Sequence, residues 1–259
     1  MYVIKKNIVK SMESFGKNDP FDYCVIDNFF DEKVALELES EIPDYDSDIW
    51  HFYNNSVEIK KSCNNWNVFP KLTYQVFNYL NSSEFVSILS AGVFNNKELF
   101  SDIGLNGGGW HIHKRGGKLN PHLDYATHPK LGLERKFNII IYLNSKWKDE
   151  YGGDLSFWEN KIDNQPGEII VSTAPKFNRA ILFDTSQNSW HGLSGELTCP
   201  KNEARKSLAV YYLCNPSRIV SNRKKVLFAP TDDQKNNEEV KELIKARSSE
   251  KTAYKVYQK

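Results

Sequence analysis

The chain has 259 residues, 40% hydrophobic, 13% aromatic and 26% charged, the composition of a globular protein and not of a disordered or fibrous one. A formal net charge of +1 gives no global electrostatic reason to expect a nucleic acid or an anionic membrane as partner. Cys24, Cys63, Cys199 and Cys214 are widely spaced and form no Cys-x-x-Cys pair, which argues against a zinc site or a disulfide framework and for a reducing compartment.

Residues 1–12 lack the continuous apolar segment of a signal peptide, and the longest apolar run, 139–143, is too short to span a bilayer. The expectation is a cytoplasmic protein. Residues 21–27 form an entry strand. Asp31 then caps a helix whose apolar contacts are Val34, Leu36, Leu38 and Ile42, ending at Pro43. The asparagine-rich stretch 54–67 is expected to be an irregular connection. Phe69-Pro70 opens a second helix striped by Leu72, Val76, Phe77 and Leu80, and Ser82 or Ser83 caps a third with Phe85, Ile88 and Leu89.

From Asn106 the texture changes to short apolar runs between turn residues. Strands are expected at 110–115, 118–125, 137–144, 154–158, 168–171, 179–184, 190–193 and 207–214. About eight short strands with regular turns predict a sandwich or barrel, not βαβ units. After Pro216 the chain turns polar and basic. Arg223-Lys-Lys225 and the stretch 232–259 read as a solvated surface helix and tail, with a substrate-covering lid or anionic-ligand surface as the alternative. The division is 1–105 (entry strand and supporting helices), 106–216 (core) and 217–259 (helix and tail), integrated into one domain.

Within the expected core stand His122-Leu-Asp124, then His191 67 residues after Asp124, then Arg205-Lys-Ser207. Alternate residues of a strand face one way, so His122 and Asp124 can project together toward one ion, with His191 supplied by a neighbouring strand. Two imidazoles and a carboxylate can hold iron(II) on one face and leave the other coordination positions open. Arg205 and Ser207 are also two apart, and a guanidinium matches the far carboxylate of a keto acid bidentately. His-x-Asp alone arises often by chance; the ordered set is far more specific.

Residues 106–215 resemble the prolyl-4-hydroxylase-like branch of the iron(II)/2-oxoglutarate dioxygenases. The similar stretches are Gly116-Gly-Lys-Leu-Asn-Pro-His-Leu-Asp124, Asn138-Ile-Ile-Ile-Tyr-Leu-Asn144, Tyr151-Gly-Gly-Asp-Leu155, Ile181-Leu-Phe-Asp184, His191-Gly192 and Arg205-Lys-Ser-Leu-Ala-Val-Tyr211. The resemblance implies a mainly β fold, a double-stranded β-helix (jelly roll) with helices packed outside. It makes His122, Asp124 and His191 the iron ligands and Arg205 the binder of the 2-oxoglutarate C5 carboxylate, assisted by Tyr142 and Ser207. For the 1-carboxylate the family places a hydroxyl-bearing residue on the preceding strand, where this chain has His111, Ile112 and His113; either histidine could take that work, or remain an outer-strand polar residue.

The activity implied is oxidative decarboxylation of 2-oxoglutarate by O₂ to succinate and CO₂, coupled to hydroxylation of an unactivated C–H bond, with ascorbate as a reductant. Asp124 argues for hydroxylation, because related halogenating enzymes replace this carboxylate by a small residue. Tyr125, His128, Arg135, Asn188 and Trp190 are candidate substrate contacts. The substrate expected from the family is a prolyl residue of a peptide or protein; a free amino acid or sugar derivative, and a non-catalytic 2-oxoglutarate-binding module, are the alternatives. A zinc hydrolase fits worst, since no spare Glu or His base is evident.

Overall fold

The computed structural model describes residues 2–217 and 223–257. The N-terminal part contains helix α1 (Lys5–Met12), strand β1 (Tyr23–Ile26), helix α2 (Glu32–Glu41), a hairpin of β2 (His51–Asn54) and β3 (Glu58–Cys63), and helices α3 (Lys71–Leu80) and α4 (Ser83–Val93). Strands β4 (Phe100–Ser101), β5 (Gly109–His113), β6 (Lys118–Leu119), β7 (His122–Leu123), β8 (Glu134–Tyr142) and β9 (Leu155–Asn160) follow. The chain continues through β10 (Pro166–Thr173), β11 (Ala180–Asp184), β12 (His191–Leu193), β13 (Arg205–Cys214) and β14 (Leu227–Phe228) to helix α5 (Glu238–Ser248).

The strands form two antiparallel sheets. The larger runs β1-β11-β8-β13-β5-β3-β2, with β4 on β13 and β6 on β3; the smaller runs β10-β9-β12-β7-β14. Side-chain alternation decides what each face of the larger sheet meets. Ile139 and Ile141 of β8 and Leu208, Val210 and Tyr212 of β13 join one buried cluster with Ile8, Leu38, Val76, Phe77, Phe85 and Leu89 of the helices. The intervening Asn138, Ile140, Ser207, Ala209 and Tyr211 face a cavity instead. Tyr142, Ile181 and Phe183 pack with Leu155 and Phe157 of the smaller sheet. This is the double-stranded β-helix, with helices against its outer face and a cavity between its sheets. The caps behave as their residue types dictate: Asp31 accepts from the Lys33 N–H and Ser82 from the Phe85 N–H.

Seven of the eight strands expected in the core are present with shifted ends, and three expectations need correction. The strand expected over 118–125 is broken: β6 belongs to the larger sheet and β7 to the smaller. Pro121 between them lacks the N–H a ladder needs. Asn120 fixes the crossing, its N–H donating to the Val57 carbonyl and its Nδ2 to the Ala229 carbonyl. The stretch 54–67 is no irregular connection, since β3 pairs with both β2 and β5. Its cavity-facing residues Glu58, Lys60 and Ser62 are polar, so the apolar alternation that marks a strand is missing.

The tail is not a solvated appendage. Phe228 of β14 lies opposite His122, and Val240, Arg247 and Ala253 are buried. Asn237 caps α5 by accepting from the Glu239 and Val240 N–H groups. Residues 218–222 and 258–259 of the expected tail lie outside the described residues.

Candidate active site

His122 and His191 lie directly opposite each other on β7 and β12, and Asp124 follows β7 by one residue. Their ligand atoms all lie within 4.8 Å of one another, and all three residues are buried. The Nε2 atoms of His122 and His191 are 3.9 Å and 3.8 Å from the two carboxylate oxygens of Asp124. The Nδ1 atoms face backward, 3.0 Å from the Asn120 carbonyl for His122 and 2.8 Å from the Ser189 carbonyl for His191. A carbonyl only accepts, so each Nδ1 carries the proton and each Nε2 presents its lone pair to the site.

Burial pushes both imidazoles down from the ordinary histidine pKa, which favours the neutral form that a metal requires. Burial opposes ionisation of Asp124, yet His191, Arg135, His122 and the Tyr211 hydroxyl outweigh it and hold its pKa at about 2. Gly192 lets β12 approach, since a Cβ there would lie 2.7 Å from the carbonyl oxygens of Leu119 and Asn120. Nitrogen, nitrogen and carboxylate oxygen in one compact set fit iron(II).

The opposite wall belongs to the larger sheet. Cross-strand register sets Tyr142, Ser207 and His111 in one row and Arg205 and His113 in the next. Arg205 is buried, its Nε donates to the Gly153 carbonyl at 2.7 Å, and among the described residues its guanidinium has beyond this only a poorly directed contact with the Tyr142 hydroxyl. Gly153 permits this contact, being at φ +84° with a Cβ position only 2.8 Å from Arg205 Cδ. The guanidinium lies 4.7 Å from the Tyr142 ring centroid. The Tyr142 hydroxyl and both His113 ring nitrogens are buried without a hydrogen bond of acceptable geometry. Burial drives the His111 pKa down to about 3 and that of His113 well below the ordinary value. A buried cation with unpaired polar neighbours, facing a metal-ligand set, is what a keto-acid carboxylate needs.

The two walls enclose a cavity of about 390 Å³. His111, His113, His122, Asp124, His191, Arg205 and Ser207 all line it, while Tyr142 stands behind Arg205. Of the expected substrate contacts, Tyr125 and Arg135 line it; His128, Asn188 and Trp190 do not. Trp190 is buried away from the cavity with Leu123, Trp158 and Ala229, its indole N–H bonded to Asn160. His128 organises its own loop, accepting from the Lys130 and Leu131 N–H groups and meeting Asn106. Asn188 is an exposed turn residue at φ +53°.

Arg135 is sandwiched between Tyr125 and Tyr211, with its guanidinium 3.5 Å and 3.4 Å from their ring centroids. Tyr211 in turn donates to Asp124 Oδ2 at 2.9 Å. Sequence reasoning missed the rim. Tyr53, Glu58, Lys60 and Ser62 reach the cavity from the hairpin, and Lys224, Lys225, Phe228, Arg247 and Tyr254 from the tail. Only the basic run at 223–225 had pointed there.

Residues 108–213 match the family model of the 2OG-Fe(II) oxygenase superfamily. The matched stretch holds His122, Asp124, His191 and Arg205, and oxygenases of that superfamily use iron(II) and 2-oxoglutarate. Among curated relatives it is similar to the prolyl 3-hydroxylase OGFOD1 of Xenopus laevis, with 34% identity over 64 residues, 25% of this chain and 12% of that protein. The Mus musculus OGFOD1 is 25% identical over 192 residues, 70% of this chain and 31% of that protein. The chain therefore aligns with less than a third of the length of these relatives.

A Pseudomonas putida prolyl-4-hydroxylase shares the fold at TM-score 0.57 and 13% identity, covering 81% of this chain and 100% of that one. HygX from Streptomyces hygroscopicus, solved with nickel, 2-oxoglutarate and hygromycin B bound, does so at TM-score 0.51 and 13% identity, covering 84% and 91%. No helix among the described residues is long and apolar enough to cross a membrane.

Proposed function

We propose that the protein is an Fe(II)- and 2-oxoglutarate-dependent dioxygenase that hydroxylates a prolyl residue of a peptide or protein. The observation that carries this reading is a compact, buried His122–Asp124–His191 set facing a buried, incompletely paired Arg205 across one cavity. In this assignment His122, Asp124 and His191 hold iron, and Arg205 grips the C5 carboxylate with Tyr142 and Ser207 beside it. His113, with two unpaired ring nitrogens, is the better placed of the two histidines for a second polar contact to the co-substrate. When bound, iron(II) and 2-oxoglutarate supply O₂ activation coupled to decarboxylation of the keto acid.

The protein's own residues fix the tautomers of the two histidines, keep Asp124 ionised and shield the reacting groups from bulk water. The peptide reading draws on the prolyl hydroxylase names of the relatives, which do not agree on the ring carbon. A compact small molecule is the second reading, favoured by a cavity of only about 390 Å³ partly covered by the tail, and by hygromycin B bound in the HygX structure. We further place the protein in the cytoplasm, on its four buried free cysteines. Residues 1–105 and 217–259 are read as layers of one domain around the 106–216 core.

The test is an anaerobic absorption spectrum with iron(II) and 2-oxoglutarate, followed by screening prolyl peptides and free metabolites for succinate formation. A metal-to-ligand charge-transfer band and an added oxygen on a proline are the expected results. NMR of the product distinguishes C3 from C4. Absence of the band rejects the dioxygenase, and turnover of metabolites alone rejects the peptide substrate.

A further inference from the structure

The roles assigned above leave Lys60 unexplained. It stands on β3 opposite Tyr53 of β2. Continuing the β3–β5 register by one residue from the Lys61–Ile112 pair sets Lys60 beside His113, which lies beside Arg205. Lys60 thus shares a cavity wall with Arg205, two strands away.

Its side chain is only 14% exposed, and its ammonium makes no hydrogen bond among the described residues. Among the described residues, the one carboxylate within ion-pair range is Glu58, whose Oε2 is 3.9 Å away. Glu58 is engaged elsewhere, its Oε1 accepting from Arg247 Nε at 3.2 Å and Nη2 at 2.9 Å. The Lys60 ammonium also lies 5.3 Å from the centroid of the Tyr53 ring, but an ammonium so placed has lost most of its water without gaining a hydrogen-bonded partner, which is costly unless a ligand supplies one.

The charge balance of the cavity points the same way. Lys60, Arg135, Arg205, Lys224, Lys225 and Arg247 line it against Glu58 and Asp124 alone. Iron(II) and the 2-oxoglutarate dianion cancel each other when both are bound, so the excess of positive charge remains for whatever enters next. Arg205 provides for one end of the co-substrate and the metal for the other. Glu58, two residues before Lys60 on β3, pairs with Arg247 of the tail, and Arg247, Lys224 and Lys225 also meet the cavity.

We propose that Lys60 binds a carboxylate of the substrate, so that the preferred substrate carries an acidic group, such as an Asp or Glu side chain, next to the position oxidised. This rests on the hydroxylase reading above.

The experiment uses the full chain with iron(II) and 2-oxoglutarate. Prolyl peptides of one length carry Asp/Glu, Asn/Gln or Lys beside the proline, and free acids are paired with their amides in parallel. The wild type is expected to favour the acidic member by roughly tenfold or more in kcat/KM, the scale set by one buried charge pair. Lys60→Met should bring that ratio near one, Lys60→Glu should turn it toward the basic peptide, and Lys60→Arg, the variant least prone to folding defects, should keep it. A wild type that turns over no acidic compound, or shows no preference for one, overturns the proposal, as does a Lys60→Met enzyme that retains the preference. A tenfold rise in the 2-oxoglutarate midpoint of Lys60→Met with peptide preference intact also overturns it and moves Lys60 to the co-substrate site. The anaerobic charge-transfer band keeps the two readings apart. No band in the wild type means the dioxygenase reading has failed; a band without acid preference means only the Lys60 proposal has.

Discussion

The two walls of the cavity are built to different standards of completeness. On the smaller sheet each polar group has its place: His122 and His191 are locked by backbone carbonyls, and Asp124 is held by Tyr211. On the larger sheet, the Tyr142 hydroxyl meets only Arg205 and without good hydrogen-bond geometry, the His113 ring nitrogens have no partner among the described residues, and Lys60 has a distant carboxylate and the face of Tyr53. Buried polar atoms are almost always paired in a finished structure. The first wall is therefore pre-organised for a small ion, while the second is left open for ligands that bring their own oxygens. Anchored ligand atoms need no rearrangement to bind metal, whereas in the proposed assignment the unsatisfied wall is completed by co-substrate and substrate.

The largest effect is expected where the complete wall is broken. His122→Ala or His191→Ala removes a ligand atom and should abolish iron binding and succinate formation. Asp124→Ala should do the same or leave weak binding. Metal stoichiometry by elemental analysis and succinate by mass spectrometry are the readouts. Retention of both in all three variants rejects the assignment.

How much of this was legible in the sequence follows from the same contrast. The triad and Arg205 could be read because strands place alternate residues on one face, so His122-x-Asp124 and Arg205-x-Ser207 carry their geometry in their spacing. Even there, Asp124 lies just past the end of β7, and Pro121 splits what read as one strand. Lys60 and Glu58 were hidden because a strand facing a polar cavity loses the apolar alternation that would announce it. The Glu58–Arg247 pair joins residues 189 apart, a separation no local pattern encodes. Trp190 was misjudged for a simpler reason: neighbouring residues in extended chain point to opposite faces, so adjacency to His191 turned it away from the cavity.

On the incomplete wall the largest change should come from Arg205→Ala. Losing one partner of a buried charge-assisted pair costs about 2–5 kcal/mol. The 2-oxoglutarate midpoint should therefore rise at least about tenfold, while iron binding, made on the other wall, stays nearly intact. A midpoint unmoved by this change would falsify the role of Arg205.

The rim offers a stability test. Glu58→Ala takes the carboxylate from Arg247, which is nearly buried. We expect a loss of about 3 kcal/mol, the low end of what breaking a buried pair costs. Faster proteolysis within residues 249–257 should accompany it. Unchanged thermal stability and proteolysis would mean that the tail is held by its apolar contacts alone.

Tyr211→Phe probes the support behind Asp124. Removing an outer partner of a metal-ligating carboxylate costs roughly tenfold or more in metal affinity. An anaerobic cobalt(II) or iron(II) titration of the variant should show that loss with little change in fold, since the ring that stacks on Arg135 remains. Equal affinities would show that Arg135 and the two histidines hold Asp124 without help from the hydroxyl.

The smallest expected effect separates the walls most sharply, because it has opposite signs with and without ligand. The Tyr142 hydroxyl is buried with only a poorly directed contact to the Arg205 guanidinium, so the unliganded protein bears much of its desolvation cost. Tyr142→Phe removes that cost while keeping the ring against Arg205, and should stabilise the unliganded protein by about 1 kcal/mol. The same change removes a donor to the co-substrate carboxylate, and should raise the 2-oxoglutarate midpoint by roughly fivefold, the equivalent of about 1 kcal/mol. Thermal unfolding with and without 2-oxoglutarate reads both. If the variant is instead less stable without ligand and binds 2-oxoglutarate as before, the hydroxyl serves the folded core, and the larger-sheet wall is less open than its unpaired atoms imply.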